Sequence, residues 1–285
     1  MINTIGKEPE YMNPYKIDGP AVISFSGGRT SGFMLAKIVE THGGTLPDDV
    51  HVVFANTGLE HAATYDFVQK VSDNIAPVTW VEYTETDGKK DYKTVDYSTC
   101  SRNGEPMSML IQRKSFLPNP VTRFCTAECK IKTIERFCKR TLGFDFWTEV
   151  IGLRADEPRR VAKLRSDNNR DTFAPIAQAG HTIEDVVEFW QRNSFDLELP
   201  YDNNSFGNCV GCFLKGTPKL IYVFEKAPEY AQWWIDQETN TGFSKDGVAT
   251  FRKDRAPYRQ LLEMAQSQQT LDFCMDDVQE CSCTD

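Results

Sequence analysis

No stretch of this sequence reaches the roughly 18 apolar residues that a membrane-crossing helix needs. Met1 to Asp18 also lack an apolar run of the kind that forms a secretion signal. A cytoplasmic protein that engages no membrane is expected. Internal repeats and low-complexity segments are missing too, which argues against a solenoid or a disordered tract. An excess of positive charge is lacking as well. The net charge of −9 gives the chain as a whole no long-range attraction for nucleic acid. What the nine cysteines lack is a setting that would oxidise them, so a disulfide framework is not expected.

What is present is unevenly placed. Arg113, Lys114, Arg123, Lys130, Lys132, Arg136, Lys139 and Arg140 face only Glu128 and Glu135 in their stretch. A second basic group holds Arg154, Arg159, Arg160, Lys163 and Arg165, whereas the tail carries Asp272, Asp276, Asp277, Glu280 and Asp285. Solvated helix faces account for such runs as well as an anionic ligand does. Two basic segments beside candidate phosphate sites point to the ligand.

At 285 residues the chain is long enough for one large α/β domain and a smaller appended region. Ala21 to Phe25, His51 to Ala55 and Val78 to Tyr83 read as short buried strands, with helices over Phe33 to Glu40 and about Glu60 to Val71 between them. A basic helix from about Ala127 to Thr141 leads to another strand, Phe146 to Ile151. Strands alternating with helices imply a doubly wound parallel sheet. Residues 84–122 lack clean periodicity and read as a long excursion over the active face. Beyond residue 175 the pattern is helical: Ile183 to Gln191, Pro218 to Lys226, Pro228 to Gln237 and Pro257 to Gln266. The expected organisation is a lead (1–19), an α/β nucleotide-binding domain (20–175), a helical region containing a CxxC (176–270) and an acidic, cysteine-bearing tail (271–285).

Ser26-Gly27-Gly28-Arg29-Thr30-Ser31 lies between the first strand and the first helix. Glycines there let the backbone approach an anion, and the helix N-terminus offers N–H groups and a favourable dipole. Its place at the carboxyl end of the first parallel strand is where open α/β sheets bind ligands. No Gly-Lys-Ser/Thr follows, so it is not a Walker A loop. Among the thiols, Cys125 and Cys129 are four apart, Cys209 and Cys212 form a CxxC, and Cys281 and Cys283 lie in the tail. Cys100, Cys138 and Cys274 stand alone and read as packing residues.

The loop Ser-Gly-Gly-x-x-Ser resembles the PP-loop of N-type ATP pyrophosphatases. Four further elements follow in order: Ala55-Asn56-Thr57-Gly58-Leu59-Glu60, Arg123-Phe124-Cys125 with Lys130, Gly152-Leu153-Arg154-Ala155-Asp156-Glu157 with Arg160, and Cys209-Val210-Gly211-Cys212. Together, over roughly residues 20–215, they resemble the PAPS-reductase-like family of the PP-loop superfamily. The branch found in lambdoid phage nin regions and prophages shares the Ser-Gly-Gly-Arg-Thr-Ser loop and the Arg-Ala-Asp-Glu-Pro segment. The resemblance implies a Rossmann-like PP-loop fold, a phage or prophage gene product acting in the host cytoplasm, and an adenine nucleotide (ATP or PAPS) as ligand. Ser26, Gly27, Gly28, Arg29, Thr30 and Ser31 are then expected at its phosphates and Asn56, Thr57 and Gly58 near its nucleoside. Lys130, Arg154 and Arg160 are expected to supply cationic contacts, with Asp156 and Glu157 orienting the arginines. The family usually has an acid where Thr30 stands, so magnesium accompanying ATP lacks that contact here.

In cluster-bearing members a cysteine pair and a CxxC hold iron and sulfide. The resemblance therefore implies a [4Fe–4S] cluster on Cys125, Cys129, Cys209 and Cys212, with a tail cysteine as alternative fourth ligand. The same thiols suit zinc equally well. The expected reaction cleaves ATP between its α and β phosphates, adenylates a substrate and transfers sulfur. A thiolate such as Cys281 or Cys283, a sulfur-donor protein or a thiol reductant would take part, and nucleic acid is among the candidate acceptors. One alternative is a PAPS or APS reductase whose tail cysteine attacks the sulfate sulfur. Another is a non-catalytic nucleotide- or partner-binding protein.

Overall fold

The computed structural model of the chain describes residues 13–240 and 249–267. Its strands are β1 (Ala21–Ser24), β2 (Val50–Asn56), β3 (Val78–Thr86), β4 (Lys89–Val95), β5 (Trp147–Ile151) and β6 (Arg170–Phe173). They form one sheet of order β4-β3-β2-β1-β5-β6, parallel throughout except for β4, which pairs antiparallel with β3. The expected doubly wound α/β fold is present, with an antiparallel edge added. The strand order reverses between β1 and β5, the position at which such sheets open a crevice.

The helices are α1 (Arg29–Thr41), α2 (Ala62–Asn74), α3 (Glu105–Lys114), α4 (Lys132–Phe137), α5 (Pro158–Val161), α6 (Pro175–Gln178), α7 (Ile183–Arg192), α8 (Thr217–Lys226), α9 (Gln232–Asn240) and α10 (Tyr258–Gln266). β1 is apolar on both faces because both are covered. Ala21, Ile23 and Phe25 share a core with Phe33 of α1, Phe67 of α2 and Trp190 of α7. Val22 turns the other way, to Val53, Val81 and the α4 residues Ile134 and Phe137.

Three local departures from the sequence pattern have physical causes. Residues 84–122 contain a hairpin and α3 in place of an irregular excursion. Asp87 and Gly88 both adopt positive φ (52° and 68°), the conformation of a two-residue hairpin turn. β4 escaped notice because its sequence, Lys-Lys-Asp-Tyr-Lys-Thr-Val, is that of a charged edge strand. The four-residue β6 is equally polar at Arg170, Asp171 and Thr172. The basic segment expected as one helix changes pitch twice, with π turns at Thr126–Ile131 and Cys138–Leu142 flanking α4.

The C-terminal helices form a second core, in which α8 packs on α10. Phe213, Trp234, Phe251 and Tyr258 meet there in edge-to-face and stacked ring contacts. Leu59 and the α3 residues Met107, Leu110 and Ile111 belong to the same core, as do Cys209 and Cys212. The CxxC is therefore anchored on one side by the sheet domain and on the other by the helical region. The tail with Cys281 and Cys283 lies outside the described residues.

Candidate active site

After β1 the chain turns through Phe25 to Gly28 into α1. Gly27 has φ +76°, and a Cβ there would stand 2.7 Å from Thr64 Cγ2 on α2. Both the left-handed backbone and the close approach of α2 require glycine. Gly28 is different. Its φ is −104°, and a Cβ would meet only Ser26 Oγ, at 3.6 Å. The space in front of it is open. No side chain caps α1 and no acid occupies its first turn, so the helix N-terminus keeps its attraction for an anion.

Ser31 turns inward and staples this loop. Its hydroxyl accepts from Ser26 N–H at 3.2 Å, donates to Gly28 O at 3.0 Å, and lies 2.9 Å from Ser26 Oγ. Gly152, at the end of β5, passes so close that a Cβ would lie 3.1 Å from Ser31 Cα.

A cavity of about 420 Å³ opens over the loop. Ser26, Gly27, Gly28, Arg29 and Thr30 form one wall, and Arg154, Glu157, Arg160, Lys215 and Lys219 face them. Arg154 Nη1 donates to Thr30 Oγ1 at 3.3 Å, while Asp156 accepts from Arg154 Nε at 2.9 Å and from Nη2 at 3.1 Å. Buried Glu157 accepts from the Arg154 N–H at 3.1 Å and pairs with the guanidinium groups of both Arg154 and Arg160. The two carboxylates thus fix the guanidinium groups, and of the two arginines Arg154 reaches the loop, at Thr30. Arg29 serves another element. Its Nε and Nη2 reach Asp196 at 2.8 and 2.7 Å, and its guanidinium lies 3.7 Å from the Tyr201 ring centroid. It anchors the segment that forms the far wall of the cavity.

A second cavity, of about 260 Å³, lies on the α4 side of β1. Val53, Ala55, Ile131, Ile134 and Ile151 give it apolar walls, with Ser24, Glu149, Arg170 and Thr172 among its polar lining. Ser26 borders both cavities. Lys130, expected beside the same phosphates as Arg154, lines this second cavity.

Asn56, Thr57 and Gly58 line neither cavity. Asn56 Nδ2 donates to Glu82 Oε1 at 2.7 Å and to Ser101 O at 2.8 Å, and its Oδ1 accepts from Gly58 N–H at 2.9 Å. Thr57 Oγ1 donates to Glu60 at 2.7 Å and lies 3.4 Å from Cys209 Sγ. Glu60 forms a β-bridge with Cys209, and Val210 N–H donates to Leu59 O at 2.8 Å. The segment after β2 thus docks the CxxC loop.

Lys215 was missed by sequence reasoning. Only 2% exposed, it donates to the carbonyls of Gly207, Cys209 and Val210 at 2.7, 2.6 and 2.8 Å. The signal was a lone lysine in the apolar run Val210-Gly-Cys-Phe-Leu-Lys. Such a charge is buried only when its donors are satisfied.

Cys129, Cys209 and Cys212 are buried and Cys125 is half-buried, all in the second core or against it. Burial, then the neighbouring Cys125 and Cys209, push the Cys129 thiol well above its ordinary pKa. Among the described residues no three His, Cys, Asp or Glu side chains converge closely enough to hold a metal ion. The described thiols alone therefore do not fit a cluster or zinc, and no chemistry below is routed through one. Cys138, fully buried, is pushed up to about 12 mainly by desolvation and behaves as packing.

Residues 20–214 match the family model of the phosphoadenosine phosphosulfate reductase domain, and the chain belongs to that family of PP-loop α/β proteins. Among individual proteins, it is 32% identical over 206 residues to an uncharacterized nin-region protein, ORF290, of Escherichia phage lambda, covering 70% of this chain and 67% of the relative. It is 25% identical over 272 residues to an uncharacterized 37.8 kDa protein of Escherichia phage 186, covering 81% and 78% of the two chains. A solved PAPS reductase from Candida auris, in complex with phosphate, shares 15% identity over 63% of this chain and 75% of its own, with a TM-score of 0.38. No helix among the described residues is long and apolar enough to cross a membrane.

Proposed function

We propose that the protein is an enzyme that binds an adenylyl nucleotide across the carboxyl end of β1 and uses it for sulfur transfer. The observation that carries this reading is the cavity over the 26–30 loop. There an uncapped helix N-terminus and an unobstructed Gly28 oppose Arg154, Arg160 and Lys219. Such a set neutralises a polyphosphate and stabilises the charge that develops on it during transfer. Phosphates would occupy this cavity. The base would lie in the apolar second cavity, with Ser26 between the two.

In the reaction we favour, an acceptor oxygen attacks the α-phosphorus of ATP and pyrophosphate leaves. The terminal sulfur of a cysteine persulfide, on this chain or on a donor protein, then displaces AMP, and a thiol reductant cleaves the S–S bond of the resulting disulfide to leave that sulfur on the acceptor. Magnesium would enter with ATP. The matched family model favours a second reading, in which a cysteine thiolate attacks the sulfate sulfur of PAPS, adenosine 3′,5′-bisphosphate leaves, and a thiol reductant then releases sulfite from the thiosulfonate as a disulfide forms.

The two readings separate in one assay. Full-length protein is given ATP with magnesium and candidate acceptors, or PAPS with a thiol reductant, and pyrophosphate and sulfite are measured. Pyrophosphate that depends on the acceptor supports adenylation, and sulfite supports the reductase. If neither nucleotide binds, the enzyme reading is lost and a PP-loop scaffold remains.

A further inference from the structure

The floor of the second cavity is polar beneath apolar walls. Glu149 stands in the middle of β5, opposite Val22 of β1, and its side chain is only 9% exposed. Ser24 Oγ donates to its Oε1 at 2.9 Å, and Arg170 Nη1 lies 2.5 Å from its Oε2. A carboxylate has about four acceptor sites, so these two neighbours leave it capacity. Arg170 approaches without the alignment of a hydrogen bond, and its buried Nε and Nη1 have no hydrogen-bond acceptor among the described residues. Asp167, at 3.4 Å from Nε, is an ionic neighbour only. The carboxylate thus keeps unused acceptor capacity on a residue that lines a cavity open to ligand, while the buried Arg170 nitrogens serve as its counter-ion.

A fold does not bury such a pair at the end of an apolar slot for stability, since desolvating both groups costs more than an apolar pair would. The carboxylate matches a flat heterocycle whose edge carries an amino group. The walls, Val53 and Ala55 on one strand and Ile131 and Ile134 opposite, suit the faces of such a ring.

We infer that Glu149 reads the polar edge of the nucleobase, accepting from its exocyclic amino group, with Arg170 beside the carboxylate as its counter-ion. This rests on the nucleotide-binding reading above and adds the residues that would set base specificity. Glu149 is the specificity determinant, and Ser24 positions its carboxylate.

The test compares binding of ATP with that of purine riboside triphosphate, which lacks only the amino group, by calorimetry on the full chain. Wild-type protein should prefer ATP by about tenfold or more, the ratio produced by one charge-assisted hydrogen bond of about 1.4 kcal/mol. Glu149→Ala should bind the two alike, at the affinity wild type shows for the analogue, and Ser24→Ala should narrow the preference part-way. Should Glu149→Ala fail to fold, Glu149→Gln keeps the shape and replaces the charge with a neutral amide. It should cut the preference to about threefold or less, half or more of that hydrogen bond being lost with the charge. An undiminished preference for ATP in the folded Glu149 variants would overturn the assignment. Equal binding of both compounds by wild type would also overturn it while leaving the nucleotide reading intact. Binding of neither would remove the ATP reading, and this assignment with it.

Discussion

Gly27 and Gly28 are adjacent and chemically identical, yet the fold requires only one of them. Gly27→Ala forces a Cβ into left-handed backbone and against Thr64, and should lower stability by about 1–2 kcal/mol. Gly28→Val places its bulk in the open cavity. Its melting temperature should stay near wild type while ATP binding falls by more than about a hundredfold, because two charge-assisted contacts of about 1.5–3 kcal/mol each are held out of reach. Lys226→Ala, on the exposed face of α8, serves as the control and should change neither. Calorimetry and thermal melts on the three variants separate the roles. If Gly28→Val binds ATP normally, phosphates do not sit at this loop. The sequence marked both glycines for the same task. It could not divide them, since the division depends on where α2 passes.

At the scale of elements, the CxxC loop is shaped by a buried ammonium and by the neighbouring segment after β2. Lys215 joins the carbonyls of Gly207, Cys209 and Val210, and Thr57 reaches Cys209 from the other side. Lys215→Met strips three carbonyls, two of them buried, of their donor and should destabilise the protein by about 2–4 kcal/mol in urea unfolding. Under native conditions Cys209 and Cys212 should then react with a thiol reagent faster than in wild type. Unchanged unfolding and unchanged thiol protection would assign the loop's shape to its apolar packing alone. This explains why the Asn56-Thr57-Gly58 element was placed correctly in the chain yet lines neither cavity. Its position at the end of a central strand was legible. The contact with residues some 150 positions later, which turns it inward, was not.

At the scale of the molecule, the question is how the acidic tail relates to the rest. Among the described residues no group of thiols makes a metal site by itself, so we propose that any iron or zinc in the protein takes a ligand from the tail, with Cys281 and Cys283 as the candidates. A chain ending at Ser267 should lose whatever metal the anaerobically purified full chain carries, by elemental and acid-labile sulfide analysis. It should keep nucleotide binding, read as a rise in stability of about 2.7 kcal/mol at ATP near 100 times Kd, but lose turnover. Metal retained by the shortened chain would show that Cys125, Cys129, Cys209 and Cys212 suffice. Turnover retained by it would exclude Cys281 and Cys283 as nucleophiles.

The fold class was determined by the sequence alone, because apolar runs of strand length alternating with helical periods admit few arrangements other than a covered parallel sheet. The location of the 26–31 loop followed from the same pattern. It is local: a strand, two glycines and a helix start are adjacent in the chain. The tertiary structure decided what lies across space from that loop. Arg154 and Arg160 face it with Lys215 and Lys219, Arg29 is turned to Asp196, and Lys130 is set on the far side of β1. Glu149 and Arg170 come together only because β6 pairs with β5. β4 and β6 were invisible for the opposite reason. Edge strands with polar sequences are specified by the neighbour they pair with, and carry little apolar pattern of their own.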